Sequence, residues 1–262
     1  MPARDLELLG EAARAAGEIA LGFWRRYLQS WEKDAGAGPV SEADLAVNRM
    51  LEGRLRGARA EYGWLSEETE DDPARLSCPR CFIIDPIDGT RAFIAGEKTF
   101  AHSLAVAEAG RVIAAVVHLP ALDLTYAAAE GMPATLNGKP VTVSRRTRLQ
   151  GAVTLTSRHS LAPDHWKEAT PPPVKRDFRA SIAYRLCLVA QGRFDAMLSL
   201  WPTWEWDVAA GDLIARQAGA TVTDRLGRAP VYNDGKPQVQ GIIAAPPPLH
   251  RALIERLRPW PG

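Results

Sequence analysis

No apolar run in this chain approaches the roughly 20 residues that a membrane-spanning helix needs. The N-terminal stretch MPARDLELLGEAARAAGEIA places Asp5, Glu7, Glu11 and Glu18 inside its apolar pattern, where a secretory signal carries no acids. Both absences lead us to expect a soluble protein of the cytoplasm with no integral membrane segment. Charge of one sign is lacking too: the formal net charge is +1. No global field draws in a nucleic acid polymer or an anionic membrane, so a small anionic partner must be held locally. Cysteine is scarce. Cys78 and Cys81 form a C-x-x-C pair and Cys187 stands alone. No second pair completes a zinc site, and Pro79 and Arg80 read as loop ahead of a strand rather than as the start of a redox helix. The pair is expected to be two reduced thiols in a loop. No internal repeat is visible.

The 262 residues, 46% hydrophobic and 24% charged, suffice for one large domain or two small ones sharing a core. Leu6, Leu9, Ala13, Ala16, Ile19, Ala20 and Phe23 recur at helical spacing and predict a helix over 4–29. Residues 34–39 read as a flexible glycine-rich loop. A second helix follows with Ser41 as N-cap and Asp44 in its first turn. A strand runs to about Leu65, a short apolar strand covers 82–85, and strands follow near 100–108, 111–119 and 124–129. Ala109-Gly110 and 120–123 are the expected hairpin turns. This first half, 1–147, reads as antiparallel α+β with two helices on one face. In 148–262 strands at 153–157, 194–199, 220–224 and 239–244 alternate with helices at 181–192, 207–218 and 249–257, which predicts a more parallel α/β half.

The segment Phe82-Ile-Ile-Asp85-Pro86-Ile87-Asp88-Gly89-Thr90 is the densest in chemistry. Pro86 and Gly89 force a turn after the strand. Two carboxylates three residues apart then point toward one place, with the Ile87 carbonyl between them. Hard cations such as Mg²⁺ take oxygen ligands of this kind. Without a cation the acids repel, and one is driven neutral. Backbone N–H groups beyond Gly89 suit a phosphate. An acidic turn between strands would account for this segment alone. Glu67-Glu68 lies just upstream, where a solvated acidic loop is the plainer reading. Trp204-Glu-Trp-Asp207-Val-Ala-Ala-Gly211 opens a downstream helix, where an ordinary N-cap would account for Asp207. None of the five histidines falls in these segments.

Taken in order, E-E, D-P-I-D-G-T and W-D-x-A-A-G resemble the inositol monophosphatase superfamily, over nearly the whole chain. The resemblance implies a layered αβαβα sandwich of the fructose-1,6-bisphosphatase type. It implies a phosphomonoester hydrolase using two or three Mg²⁺ ions and inhibited by lithium. Glu67, Asp85 and the Ile87 carbonyl would hold one metal, and Asp85, Asp88 and Asp207 the second. Asp88, Gly89, Thr90 and Asp207 would meet the substrate, with Gly89 and Thr90 on its phosphate. Asp44 would pair with Thr90 to activate the attacking water, with Glu67 also in the catalytic set. A homodimer is left open.

Within that family Pro202-Thr-Trp-Glu-Trp-Asp207, Arg91-Ala-Phe-Ile94 and the run from Ser181 to Gly192 resemble 3′(2′),5′-bisphosphate nucleotidases. The carboxylate that inositol monophosphatases place before W-D is replaced here by Leu200-Trp201. The G-D-x-Y-x-Y segment of histidinol-phosphate phosphatases is absent. The expected substrate is adenosine 3′,5′-bisphosphate, cleaved to AMP and phosphate, with inositol monophosphate as the runner-up. Arg158 and Arg185 are the candidates for the retained 5′-phosphate, or else ordinary surface arginines. An inactive sensor of a phosphorylated metabolite is the alternative of another class, and the joint presence of all the motif residues argues against it.

Overall fold

Small apolar residues at helical spacing build α1 (Pro2–Phe23), whose buried stripe includes Leu9, Ala12, Ala13, Ala16 and Ala20. The computed structural model describes residues 2–26, 28–33 and 38–259. The helix stops short of the expected 29. Arg25 takes a left-handed backbone (φ 58°) and donates from Nε to the Gly96 carbonyl, so a tertiary bond turns the chain. β1 (Ser30–Glu32) pairs antiparallel with β2 (Pro39–Ser41). The flexible loop expected between them lies, at 34–37, outside the described residues. α2 (Glu42–Ala58) starts on the Ser41 N-cap, as the sequence predicts.

β3 (Gly63–Ser66) and β4 (Arg80–Asp88) follow, then α3 (Thr90–Ile94), β5 (Ala101–Glu108), β6 (Arg111–Leu119) and β7 (Leu124–Ala129). With β8 (Thr135–Leu136) and β9 (Lys139–Pro140) they form a seven-stranded sheet in sequence order. All its pairs are antiparallel except β3 with β4. The remainder is β10 (Val153–Thr156), β11 (Lys175–Asp177), α4 (Ile182–Ala190), β12 (Ala196–Ser199), β13 (Thr203–Trp204), α5 (Glu205–Gln217), β14 (Thr221–Thr223), β15 (Gln238–Val239), β16 (Ile242–Ala245) and α6 (Pro247–Ile254). The second sheet has the order β11-β10-β12-β16-β14. It is mixed rather than parallel. β10 runs parallel to both neighbours, but β16 inserts antiparallel between β12 and β14.

Alternation along the strands stacks the layers. On β4, Phe82 and Ile84 face α1 and α2, while Cys81 and Ile83 join the core around α4 and α5. That core also takes Leu155, Met197 and Ile242 from the second sheet, whose other face packs Leu198 and Ile243 against Leu249 and Leu253 of α6. The result is a helix–sheet–helix–sheet–helix sandwich, as expected. The C-x-x-C reading needs correction: β4 begins at Arg80, so Cys81 is a buried strand residue, and only Cys78 is in a loop. The sheet needs an apolar inward side chain there, and a thiol serves. All three cysteines are free. No described helix is long and apolar enough to cross a membrane.

Candidate active site

β4 ends in a bulge. Asp85 lies opposite Ser103 and Asp88 opposite Ala101, so Pro86 and Ile87 together face the single residue His102. Proline cannot donate to a ladder, and a bulge is where a strand tolerates it. The bulge folds the Ile87 N–H back onto Asp85 Oδ1 at 2.9 Å. Gly89 then takes φ 96°. A Cβ there would just touch the Ser181 nitrogen and the Thr99 oxygen at 3.4 Å, so it is the left-handed backbone that calls for glycine.

Three elements bring acids to this turn. Glu67 follows β3, with its N–H on the Ile84 carbonyl at 3.2 Å. Asp85 comes from β4 and Asp207 from the first turn of α5. One oxygen from each carboxylate lies within 4.8 Å of the others. Trp204, not Asp207, is the N-cap of α5. Asp207 sits three residues on, where the nearby Trp204 N–H eases its charge, and faces the other acids. Burial first, then neighbouring carboxylates, push Asp85 and Asp207 well above the usual carboxylate range. Hard oxygen donors crowded to mutual repulsion fit a divalent cation of the Mg²⁺ type.

Asp88 is placed differently. Its Oδ2 accepts from the Ser181 hydroxyl at 2.6 Å and the Ala183 N–H at 2.7 Å, and Oδ1 accepts the Ile182 N–H at 3.2 Å. The carboxylate therefore seats on the N-terminus of α4, outside the close trio, although it lines the same cleft. Burial nonetheless raises it to about 6. Thr90 Oγ1 lies 3.1 Å from Asp44 Oδ1 and 3.1 Å from the Ile87 carbonyl, both of them acceptors. Asp44 also accepts the Ser41 N–H and hydroxyl at 2.9 and 2.5 Å, so the cap of α2 holds it beneath the turn.

Sequence reasoning missed Lys33, just after β1. Its Nζ donates to Glu67 at 2.8 Å and Glu68 at 2.6 Å. The available signal was the unmatched Glu67-Glu68 pair, which needs a nearby cation.

The cleft is about 650 Å³. Its floor is Glu67, Asp85, Asp88 and Asp207, and Arg91, Phe178 and Arg185 also line it. Arg185 is buried, with its guanidinium 4.3 Å from the centre of the exposed Phe178 ring. It donates to the Arg179 and Ala180 carbonyls. Arg158 is exposed and is not among the cleft-lining residues. Glu205 also stays out of the cleft lining. It is buried and accepts the Asn233 and Asp234 N–H groups.

Residues 3–259 match the inositol monophosphatase family. An inositol-1-monophosphatase of Rhizobium meliloti is 35% identical over 85% of this chain and 84% of its own length. A fructose-1,6-bisphosphatase/inositol-1-monophosphatase of Thermotoga maritima is 32% identical over 82% of each. The crystal structure of the extragenic suppressor protein suhB from Bartonella henselae superposes with a TM-score of 0.80 at 28% identity, over 96% of this chain and 97% of that one. The bulged carboxylate turn, the acids gathered around it and a match along the whole chain lead to one statement: this chain belongs to the inositol monophosphatase family, whose members are metal-dependent phosphatases.

Proposed function

We propose that this chain is a Mg²⁺-dependent 3′(2′),5′-bisphosphate nucleotidase that cleaves adenosine 3′,5′-bisphosphate to AMP and phosphate in the cytoplasm. The observation that carries the substrate choice is the cleft lining, where Arg185 stacks on the exposed Phe178 and Arg91 adds a second cation to the acidic residues. A second anionic group and a planar base match that lining better than a ring of hydroxyls does. The P-T-x-E-W-D resemblance points the same way, although Glu205 itself is structural. Inositol 1-phosphate is the second reading, favoured by the names of the relatives.

Glu67, Asp85, the Ile87 carbonyl and Asp207 would hold two or three Mg²⁺ ions, with Asp88 contributing through Oδ1, the less occupied of its oxygens. Bound Mg²⁺ would supply an acidified water and neutralise phosphoryl charge. The chain's own part is positional. The N–H groups of Gly89 and Thr90 receive the phosphate. The Thr90 hydroxyl takes a proton from the attacking water as it hands its own to the Asp44 carboxylate, which is held by Ser41.

Phosphate release with Mg²⁺ tests the reading. EDTA should abolish it and lithium should inhibit it. kcat/KM for adenosine 3′,5′-bisphosphate should exceed that for inositol 1-phosphate by at least ~10²-fold, because the wrong substrate leaves buried polar groups unpaired. AMP should be poor. Equal or better turnover of inositol 1-phosphate overturns the substrate assignment and leaves the phosphatase class standing.

A further inference from the structure

β5 presents two neighbouring side chains to the two arms of the site, one on each face of the sheet. Ser103 faces α5 and donates from Oγ to the Trp206 carbonyl at 2.9 Å, immediately before Asp207. His102 faces the α1/α2 layer, and its Nδ1 meets the Pro86 carbonyl at 2.5 Å, immediately after Asp85. The bulge explains why that carbonyl needs a partner. The ladder jumps from the Asp85–Ser103 pair to the Asp88–Ala101 pair, which leaves the Pro86 peptide out of register. Between those two pairs Pro86 and Ile87 have no ladder partners of their own, so other bonds must set the direction of their peptides.

A carbonyl only accepts, so Nδ1 carries the proton and Nε2 is left as a bare acceptor. Nε2 is buried with no hydrogen-bond partner. For packing alone an apolar side chain would serve and leave no nitrogen unpaired. The imidazole is fully buried, and burial pushes its pKa down to about 3, so it stays neutral. Behind it, 6.1 Å away and 29° off parallel, stands the ring of His118, which is fixed by Thr125 Oγ1 at 2.9 Å. His118 is backed in turn by α1. A Cβ on Gly17 would come within 2.8 Å of His118 Nε2. A column of helix, imidazole and imidazole thus bears on the metal-binding turn.

We propose that His102 is a positioning residue that fixes the Pro86 carbonyl, and through it the aim of the Asp85 carboxylate and the Ile87 carbonyl. The inference rests on reading Asp85 as a metal ligand. Partners that orient ligands from outside the coordination sphere typically change metal affinity by about 10- to 100-fold when lost. Three substitutions separate hydrogen bonding from packing. Asn carries an amide nitrogen close to the position of Nδ1, Gln carries one closer to Nε2, and Leu carries neither. Mg²⁺ affinity should be measured by calorimetry on each protein, together with thermal stability in EDTA. His102→Leu and His102→Gln should weaken Mg²⁺ binding by about tenfold or more, while His102→Asn stays within about threefold of the wild type. If His102→Asn falls as far as His102→Leu, or His102→Leu binds Mg²⁺ like the wild type, the positioning role is wrong. If His102→Leu does not fold, the contrast between His102→Asn and His102→Gln decides. Wild-type protein that binds no Mg²⁺ sinks the metal-site reading itself, and this inference with it. Normal wild-type binding with unaffected variants sinks only the inference.

Discussion

Glu205 and Asp207 lie two residues apart on the first turn of α5, and their surroundings differ in one decisive respect. Glu205 has its donors in place: the Asn233 N–H at 2.7 Å and the Asp234 N–H at 3.2 Å. Arg75 stands alongside, holding Asp71, the Asn233 side chain and the Asp234 carbonyl. Asp207 instead faces Glu67 and Asp85, with the Trp204 N–H and the nearby charge of Arg185 as its relief. At 100° per residue the two side chains leave the helix about 200° apart, so one motif serves two regions. A buried acid already given its donors ties loops together, whereas one aimed at other acids is completed by a cation. Asp88 stands between the two kinds, held by α4 yet lining the cleft.

The sharpest break of this contrast is Asp207→Asn. It keeps the shape and removes the charge. kcat should fall by at least ~10²-fold, about 3 kcal/mol of transition-state stabilisation. The melting temperature in EDTA should hold or rise, because carboxylate repulsion is relieved. Near-normal turnover would reduce Asp207 to a helix-capping acid.

Glu205→Ala should do the reverse. Two buried N–H groups lose their acceptor, which costs about 2 kcal/mol of stability and about 5 °C in Tm. kcat/KM at a temperature where the variant is folded should stay within about threefold. A large activity loss with unchanged Tm would move Glu205 into the active site.

The acids also predict a pH dependence. Burial is the first cause that raises Glu68 and Glu205 to about 7 and Asp88 to about 6, and it raises Asp85 and Asp207 as well. Unfolded carboxyls titrate near 4. Between about pH 4 and 7 these acids therefore bind more protons folded than unfolded and their contribution to stability falls as pH rises, opposed by His102, His118 and His250, which burial lowers. The contribution is fully present below about 4 and lost through 6–7. In EDTA, Tm should drop from pH 5 to pH 8. Mg²⁺ should flatten the slope, and Asp207→Asn should flatten part of it without metal. A Tm in EDTA that climbs over this range would mean the acids are compensated already.

The sequence made some of this legible because the signals were local. Ser41 and Asp44 cap α2 within four residues, and the alternation of β5–β7 with their turn residues is read off directly. The acids Glu67, Asp85 and Asp207 were named from their motifs, and the fold brings them together. What stayed hidden depends on partners far along the chain. Asp88 is held by residues 181–183. β11 (Lys175–Asp177) is three charged residues with no apolar alternation, a strand only because β10 pairs with it. The antiparallel insertion of β16 is likewise a choice of neighbour that no local pattern records.

Lys33 offers the smallest and most discriminating test. Its ammonium touches both Glu67 and Glu68, and the side chain is 18% exposed. Burial alone would lower its pKa, but the two glutamates outweigh that and the net shift is upward. The ammonium thus stays charged and occupies part of the negative potential that a metal would use. Lys33→Met removes that competitor, and a partly exposed ion pair is worth about 1 kcal/mol at most, so Mg²⁺ binding should tighten by about threefold. The gain should depend on pH. Glu68, already raised to about 7, loses the partner that holds it down and takes up a proton instead. Calorimetry should therefore show the tighter binding at pH 8.5 and little change at pH 6.5. Weaker Mg²⁺ binding by Lys33→Met at both pH values would mean that Lys33 orients Glu67 for the metal rather than competing with it. The boundary between compensated and waiting acids would then run through Glu67 itself.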